Sequence, residues 1–214
     1  MMKGIYLVVN EALCLGKPIE KVVAEALEGG GLAAVQLWEP TFDTKDLVEA
    51  ALKLKVVLEG SGIPFLIYDR VDVALAVGAD GVHLGIESMP YAYARKILGK
   101  DAIIGLSNLS WENLEFAQNS DADYLSVGPI FPTDSIETSR EPWGLEELRK
   151  IVAYTNKPIF PIGGMNETTI EDVAGTGANG VALVSAVCSS ENPSIAVAQL
   201  NKLFYGVSKQ ELIK

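Results

Sequence analysis

Eight short apolar runs, each followed by a segment of helical period, recur about every 25 residues along this 214-residue chain, and that spacing leaves few folds open. The runs are "IYLVV" (5–9), "AAVQL" (33–37), "PFLIY" (64–68), "GVHL" (81–84), "AIIGLS" (102–107), "YLSVG" (124–128), "PIFPIG" (158–163) and "GVALVS" (180–185). Helical segments are predicted between and after them, at about 17–28, 43–60, 70–77, 89–98, 111–119, 144–155, 167–174 and 193–205. Strands that are apolar throughout, rather than alternating, predict a parallel sheet covered on both faces. Eight βα units of this size close naturally as a (β/α)8 TIM barrel, an α/β fold, near the short end of its usual length. A doubly wound open sheet is the alternative, but its glycine-rich fingerprint is missing where "VVNEALCLG" follows the first run. A weak echo repeats the unit: "VGADGVHLG" (77–85), "SDADYLSVG" (120–128) and "TGANGVALVS" (176–185) each end a helix and enter a strand. Asp80, Asp123 and Asn179 suit the tight turn in each.

Composition fits one barrel domain over residues 1–214. Hydrophobic residues make up 49% of the chain, enough for a large core, and no linker or charge block divides it. The formal net charge of −11 argues against nucleic acid or an anionic membrane as partner. A phosphorylated small molecule stays open, because backbone N–H groups and helix N-termini hold anions locally. Cys14 and Cys188 make neither a disulfide framework nor a metal site, and the single histidine, His83, excludes sites that need two. With only a short apolar stretch between Lys3 and Asn10, a soluble, cytoplasmic protein is expected.

In a barrel of this kind the chemistry sits in the loops after the strands. Those positions hold Gln36, Trp38 and Glu39; Tyr68, Asp69 and Arg70; His83, Glu87 and Ser88; Ser107 and Asn108; then the loops 128–144, 162–166 and 183–187. Gly163 and Gly164 after strand seven, with Ser185 after strand eight, predict a phosphate cup, since glycine lets backbone N–H groups approach an anion. A plain tight turn is the alternative. Loop 128–144, about seventeen residues without period, reads as a lid or as a surface excursion. His83 reads first as a hydrogen-bonded core residue and second as a catalyst. Asp69 reads as a metal ligand or as the ion-pair partner of Arg70.

"IYDRVDVALAVGADGVHLGIESMP" (67–90), "GPIFPT" (128–133), "PIGGM" (161–165) and "GVALVSAV" (180–187) resemble, in order and over nearly the whole chain, the thiamine-phosphate synthase/TenI family. The resemblance implies a (β/α)8 barrel that joins an aminopyrimidine pyrophosphate to a thiazole phosphate and releases pyrophosphate with Mg²⁺. TenI relatives instead aromatise the thiazole phosphate. It implies Gly163, Gly164, Val184 and Ser185 around the phosphate, Thr133 and Ser135 in the lid, and Gln36, Asp69 and Ser107 at positions that synthases use. Asp69 and Glu87 are the implied Mg²⁺ ligands. The partner is a phosphorylated thiazole or thiamine-related small molecule, with no nucleic acid and no membrane, and a homodimer is compatible with it.

The chain departs from the family where the pyrophosphate would bind. The usual Q-x-R-x-K is Gln36, Leu37, Trp38, Glu39, Pro40, without either cation. The usual N-D-R is Tyr68, Asp69, Arg70; G-Q-E-D is Gly85, Ile86, Glu87, Ser88; and the lid's T-x-T-K is Thr133, Asp134, Ser135, Ile136. Losing one contact to the departing pyrophosphate costs about 3 kcal/mol, or about a hundredfold in rate. The TenI histidine position holds Leu109 in "SNLS". Three readings follow. A synthase with a rearranged site would use Asp69, Glu87 and Ser107, with Arg140 supplying the missing lid cation. A TenI-like or tautomerase-like enzyme would use Glu87 or Asp69 as its base. A non-catalytic protein would hold thiazole phosphate or thiamine phosphate against Trp38 and Tyr68. Trp38 packing under the lid with Phe131 or Trp143 is the alternative to that aromatic wall.

Overall fold

The computed structural model describes residues 2–108, 110–133 and 141–210. Its strands are β1 (Gly4–Val9), β2 (Leu32–Leu37), β3 (Phe65–Tyr68), β4 (Gly81–Leu84), β5 (Ile103–Asn108), β6 (Tyr124–Val127), β7 (Ile159–Pro161) and β8 (Gly180–Leu183). They pair in parallel in the order β7-β6-β5-β4-β3-β2-β1-β8. A parallel bridge between Ile162 and Ala182 joins the two ends of that order and closes the barrel. Around it run α1 (Ile19–Glu28), α2 (Thr44–Leu58), α3 (Val71–Val77), α4 (Tyr91–Leu98), α5 (Trp111–Asn119), α6 (Gly144–Tyr154), α7 (Ile170–Ala174), α8 (Ser185–Cys188) and α9 (Pro193–Gln210). The eight strands and the helices follow the periodicity. The 3₁₀ turn Glu11–Leu13 and the short α8 are additions, each too brief to carry a helical repeat.

The apolar strands are explained by two cores. Along β1, Ile5, Leu7 and Val9 face the helices while Tyr6 and Val8 face the barrel interior, following the two-residue alternation of a strand. The inner core joins Tyr6, Val8, Ala34, Leu66, Tyr124 and Phe160. Small residues there offset large ones. Gly105, on β5, has no Cβ because one would lie 2.0 Å from the Tyr124 ring. Tyr6, Tyr124 and Phe160 pack tilted and edge-on with ring centroids 5.5–5.7 Å apart, filling the barrel floor.

The repeated Asp or Asn has a structural task that its sequence position only hinted at. Asp80 accepts the Phe65 N–H at 2.7 Å while its own N–H bonds the Phe65 carbonyl. Asp123 does the same with Ile104 (2.8 Å), and Asn179 with Ile159 (3.0 Å). Each side chain thus ties the entry to one strand onto the start of the preceding strand. Helix starts are fixed locally as well: Asp43 accepts the Asp46 N–H at 2.9 Å, and Ser110 the Asn113 N–H at 3.2 Å. Among the described residues no helix is long and apolar enough to cross a membrane.

Candidate active site

The C-terminal ends of the strands surround a cavity of about 280 Å³ that reaches down to the aromatic floor. Its polar wall is a chain of buried hydrogen bonds. Tyr6 Oη donates to Gln36 Oε1 at 2.8 Å and lies 2.7 Å from Tyr124 Oη. Tyr124 Oη is 2.8 Å from His83 Nδ1, and His83 Nε2 is 2.9 Å from Ser107 Oγ. Burial lowers the pKa of His83 to about 4 and raises that of Tyr124 well above its ordinary value. The ring is therefore neutral at physiological pH. Gln36 and Ser107 are brought into one site, and so is His83, whose hydrogen-bonded reading stands. Tyr6 and Tyr124 escaped the sequence reading. The one signal they gave was a hydroxyl-bearing residue at an inward position of an otherwise apolar run.

Trp38 and Tyr68 form the upper wall. Trp38 packs on the inner core, while Phe131 and Trp143 pack against the outer one and Trp143 meets Trp111 edge-on at 6.5 Å. The loop after β2 carries the indole over the cavity. Tyr68 stacks on His83 with centroids 6.1 Å apart and planes 23° apart. Its hydroxyl pKa is pushed up by burial first, then by the charges of Asp69 and Glu87. Asp69 holds a φ of 63°, in the left-handed region that Asp and Asn tolerate best.

Two expectations are corrected here. Arg70 does not pair with Asp69; it binds Asp72 through two contacts of 2.9 and 2.6 Å and reaches the Thr44 hydroxyl. Glu39 does not line the mouth. It is buried, accepting the Glu11 N–H and, at 3.2 Å, an Asn10 amide proton, while Asn10 also bonds the Trp38 carbonyl at 2.8 Å. Burial raises its pKa to about 7. Ser88, in the place of the second acidic residue, uses its hydroxyl to accept the Gly85 N–H at 2.7 Å and so closes its own turn.

A second space of about 330 Å³ adjoins the first between the loops after β7 and β8. Thr133, Gly163 and Val184 border both, while Gly164, Ser185 and Ala186 border the second alone. The glycine pair has a reason beyond any anion. Gly163 and Gly164 have φ values of 93° and 72°, and a Cβ on either would come within 2.7 Å of Pro129 or 2.5 Å of Phe131. The lid base lies directly on them, with Ile130 N–H on the Ile162 carbonyl (3.0 Å) and Phe131 N–H on the Gly163 carbonyl (3.2 Å). The start of α8 faces the same space, giving it the electropositive end of a short helix.

Ser135 and Arg140 of the lid, and Leu109 after β5, lie outside the described residues. Among the described residues, neither space is lined by lysine or arginine, and no cluster of three or more His, Cys, Asp or Glu side chains is placed to hold a metal.

Comparison with known proteins agrees with this geometry. A family model described as thiamine monophosphate synthase (TMP-TENI) matches residues 5–187. A thiamine-phosphate synthase of Leptospira biflexa is 42% identical over 207 residues, covering 95% of this chain and 98% of the relative. One from Vibrio parahaemolyticus is 42% identical over 199 residues, covering 93% and 97%. The solved thiamine phosphate pyrophosphorylase of Pyrococcus furiosus superposes with a TM-score of 0.86 at 38% identity, over 96% of this chain and 97% of that one. With the barrel, the two adjoining spaces and these relatives together, the chain belongs to the thiamine monophosphate synthase family.

Proposed function

We propose that the protein joins an aminopyrimidine pyrophosphate to a thiazole phosphate, forming thiamine phosphate and releasing pyrophosphate. The observation that carries this reading is the pair of spaces at one barrel mouth, sharing Thr133, Gly163 and Val184. The deeper one, walled by Tyr6, Trp38 and Tyr68, suits a flat ring. The other, at the start of α8 and the glycine pair, suits a phosphate. Bound together, the two substrates would meet across the shared wall, and most of the barrier then falls to positioning and charge stabilisation.

In the coupling step the bond from the exocyclic carbon to the pyrophosphate oxygen breaks, and the oxygen keeps the electron pair. The thiazole nitrogen gives its lone pair to that carbon, so positive charge passes to the thiazolium ring. The faces of Trp38 and Tyr68 favour that cation. Asp69 and Glu87, whose charges both act on the Tyr68 hydroxyl, would offer carboxylate oxygens to a hard cation completed by substrate phosphates. Held there, Mg²⁺ would neutralise the departing pyrophosphate. Ser88, which accepts the Gly85 N–H, supplies no carboxylate there.

One observation favours a second reading: no lysine or arginine lines either space among the described residues. On that reading the protein holds thiamine phosphate or thiazole phosphate without coupling. A discontinuous assay separates the two, with purified protein, Mg²⁺ and both substrates, thiamine phosphate being read by mass spectrometry. Catalytic turnover is expected. No product from folded protein that still binds thiamine phosphate would replace the synthase with the binding protein.

A further inference from the structure

We infer that Tyr124 is a positioning residue that sets the tautomer of His83, so that a one-way hydrogen-bond chain from Ser107 to Gln36 leaves the Ser107 oxygen facing the cavity as an acceptor only. The inference follows from counting protons along five side chains. Tyr6 has one hydroxyl proton and gives it to Gln36 Oε1 at 2.8 Å. The 2.7 Å contact between the two tyrosine hydroxyls must then use the proton of Tyr124. Having given it away, the Tyr124 oxygen only accepts, so His83 Nδ1, at 2.8 Å, carries the imidazole proton. His83 is buried, and its ring nitrogens meet two hydroxyls and no carboxylate, so a buried imidazolium would go unpaired and the ring carries one proton. Nε2 is therefore bare and takes the Ser107 proton at 2.9 Å.

The chain has one alternative, its complete reversal. If the Gln36 amide were turned over, its nitrogen would donate to Tyr6, and every later bond would change direction. His83 would then hold its proton on Nε2 and donate to Ser107. The amide of Gln36 on β2 and the tautomer of His83 on β4, linked through Tyr6 and Tyr124, are thus one binary choice. With Gln36 Oε1 toward Tyr6, the chain ends on Nδ1–H.

This deepens the proposed function and rests on it in one respect: what the cavity selects. An acceptor at Ser107 complements a ring amino group and opposes a ring carbonyl in the same place, because two acceptors would then meet without a proton. The site is thereby matched to an aminopyrimidine over its oxo counterpart.

The tautomer is read without any substrate. His83 is the single histidine of the chain, so ¹⁵N-histidine labelling gives one pair of ring-nitrogen resonances. In the free protein Nδ1 is expected to be protonated and Nε2 bare; the reverse, or two protonated nitrogens, would overturn the inference. Tyr124→Phe removes the acceptor at Nδ1 at nearly constant volume and is expected to move the proton to Nε2. Tyr6→Phe is the second variant, should the first not fold. It frees the Tyr124 proton for Nδ1, and the same switch is expected although Tyr124 is intact. Gln36→Glu, with acceptors only, is expected to keep Nδ1–H. An unchanged tautomer in both phenylalanine variants would remove the positioning role. In turnover assays Tyr124→Phe is expected to lower kcat/KM about tenfold, the effect of one neutral hydrogen bond, and to narrow the preference for the amino over the oxo ring. A wild-type protein that makes no product refutes the coupling reading and leaves the tautomer result standing.

Discussion

Glu39→Gln is expected to change sign with pH, destabilising the fold in acid and stabilising it in base. Glu39 is 7% exposed and anchors the loop after β1, accepting from the Glu11 N–H and from Asn10. Burial raises its pKa from 4.5 to about 7, with the Glu11 N–H opposing the shift and the Glu11 charge adding to it. At about 1.4 kcal/mol per unit, the whole shift is worth about 3 kcal/mol. Well below pH 4.5 the carboxyl is protonated both folded and unfolded, and the fold bears no penalty. As pH rises through about 7 that stability is lost, since ionisation is easier in the unfolded chain. Glutamine never ionises and escapes this penalty. Its amide nitrogen, however, faces the Asn10 donor, which costs about 1 kcal/mol at any pH. The variant should therefore be about 1 kcal/mol less stable near pH 3.5 and about 2 kcal/mol more stable near pH 8.5, with a crossing at about pH 5. Urea unfolding followed by far-ultraviolet circular dichroism at the two pH values measures both numbers. An equal effect at both would show that Glu39 titrates alike in the folded and unfolded chain, and would refute the argument.

Four other outcomes are expected. Asp69→Asn keeps a residue type that tolerates the positive φ, so stability should change by less than about 1 kcal/mol while turnover falls about a hundredfold or more; equal turnover would remove Asp69 from the chemistry. Gly164→Ala forces a Cβ to 2.5 Å from Phe131 at a φ of 72°, and should cost about 2 kcal/mol or more in thermal or urea unfolding together with phosphate-ligand affinity. Asp80→Ala strands the Phe65 N–H and should cost about 1–2 kcal/mol, whereas Asp80→Asn, which keeps an acceptor, should cost much less. With Trp111 and Trp143 replaced by Phe, the remaining Trp38 fluorescence should change on addition of thiamine phosphate; no change on demonstrated binding would remove the indole from the ligand wall.

The candidate site was legible to the extent that its residues stand at strand ends. Gln36, Trp38, Tyr68, His83, Ser107, Thr133 and Val184 all line the deeper space, because each sits at the C-terminal end of a strand or in the loop after it. Glu39 misled for the same reason. It directly follows Trp38, yet it turns into the protein, where the 3₁₀ turn at Glu11 offers an N–H and Asn10 an amide. Arg70 likewise stands beside Asp69 but points along its helix to Asp72. Sequence position fixes the loop that a side chain occupies, whereas its direction depends on partners brought from elsewhere in the chain.

The sequence by itself determined the barrel. Eight apolar runs at regular spacing admit few closed parallel sheets, and the hydrophobic pattern is a local property that each segment carries alone. The Asp80, Asp123 and Asn179 turns were visible for the same reason. The tertiary structure decided the chemistry of the floor. Tyr6, Gln36, His83, Ser107 and Tyr124 come from five different strands, with as many as 118 residues between directly bonded partners. Their hydrogen bonds exist because barrel closure turns one face of every strand toward a common axis, where water is excluded and each hydroxyl must find a protein partner.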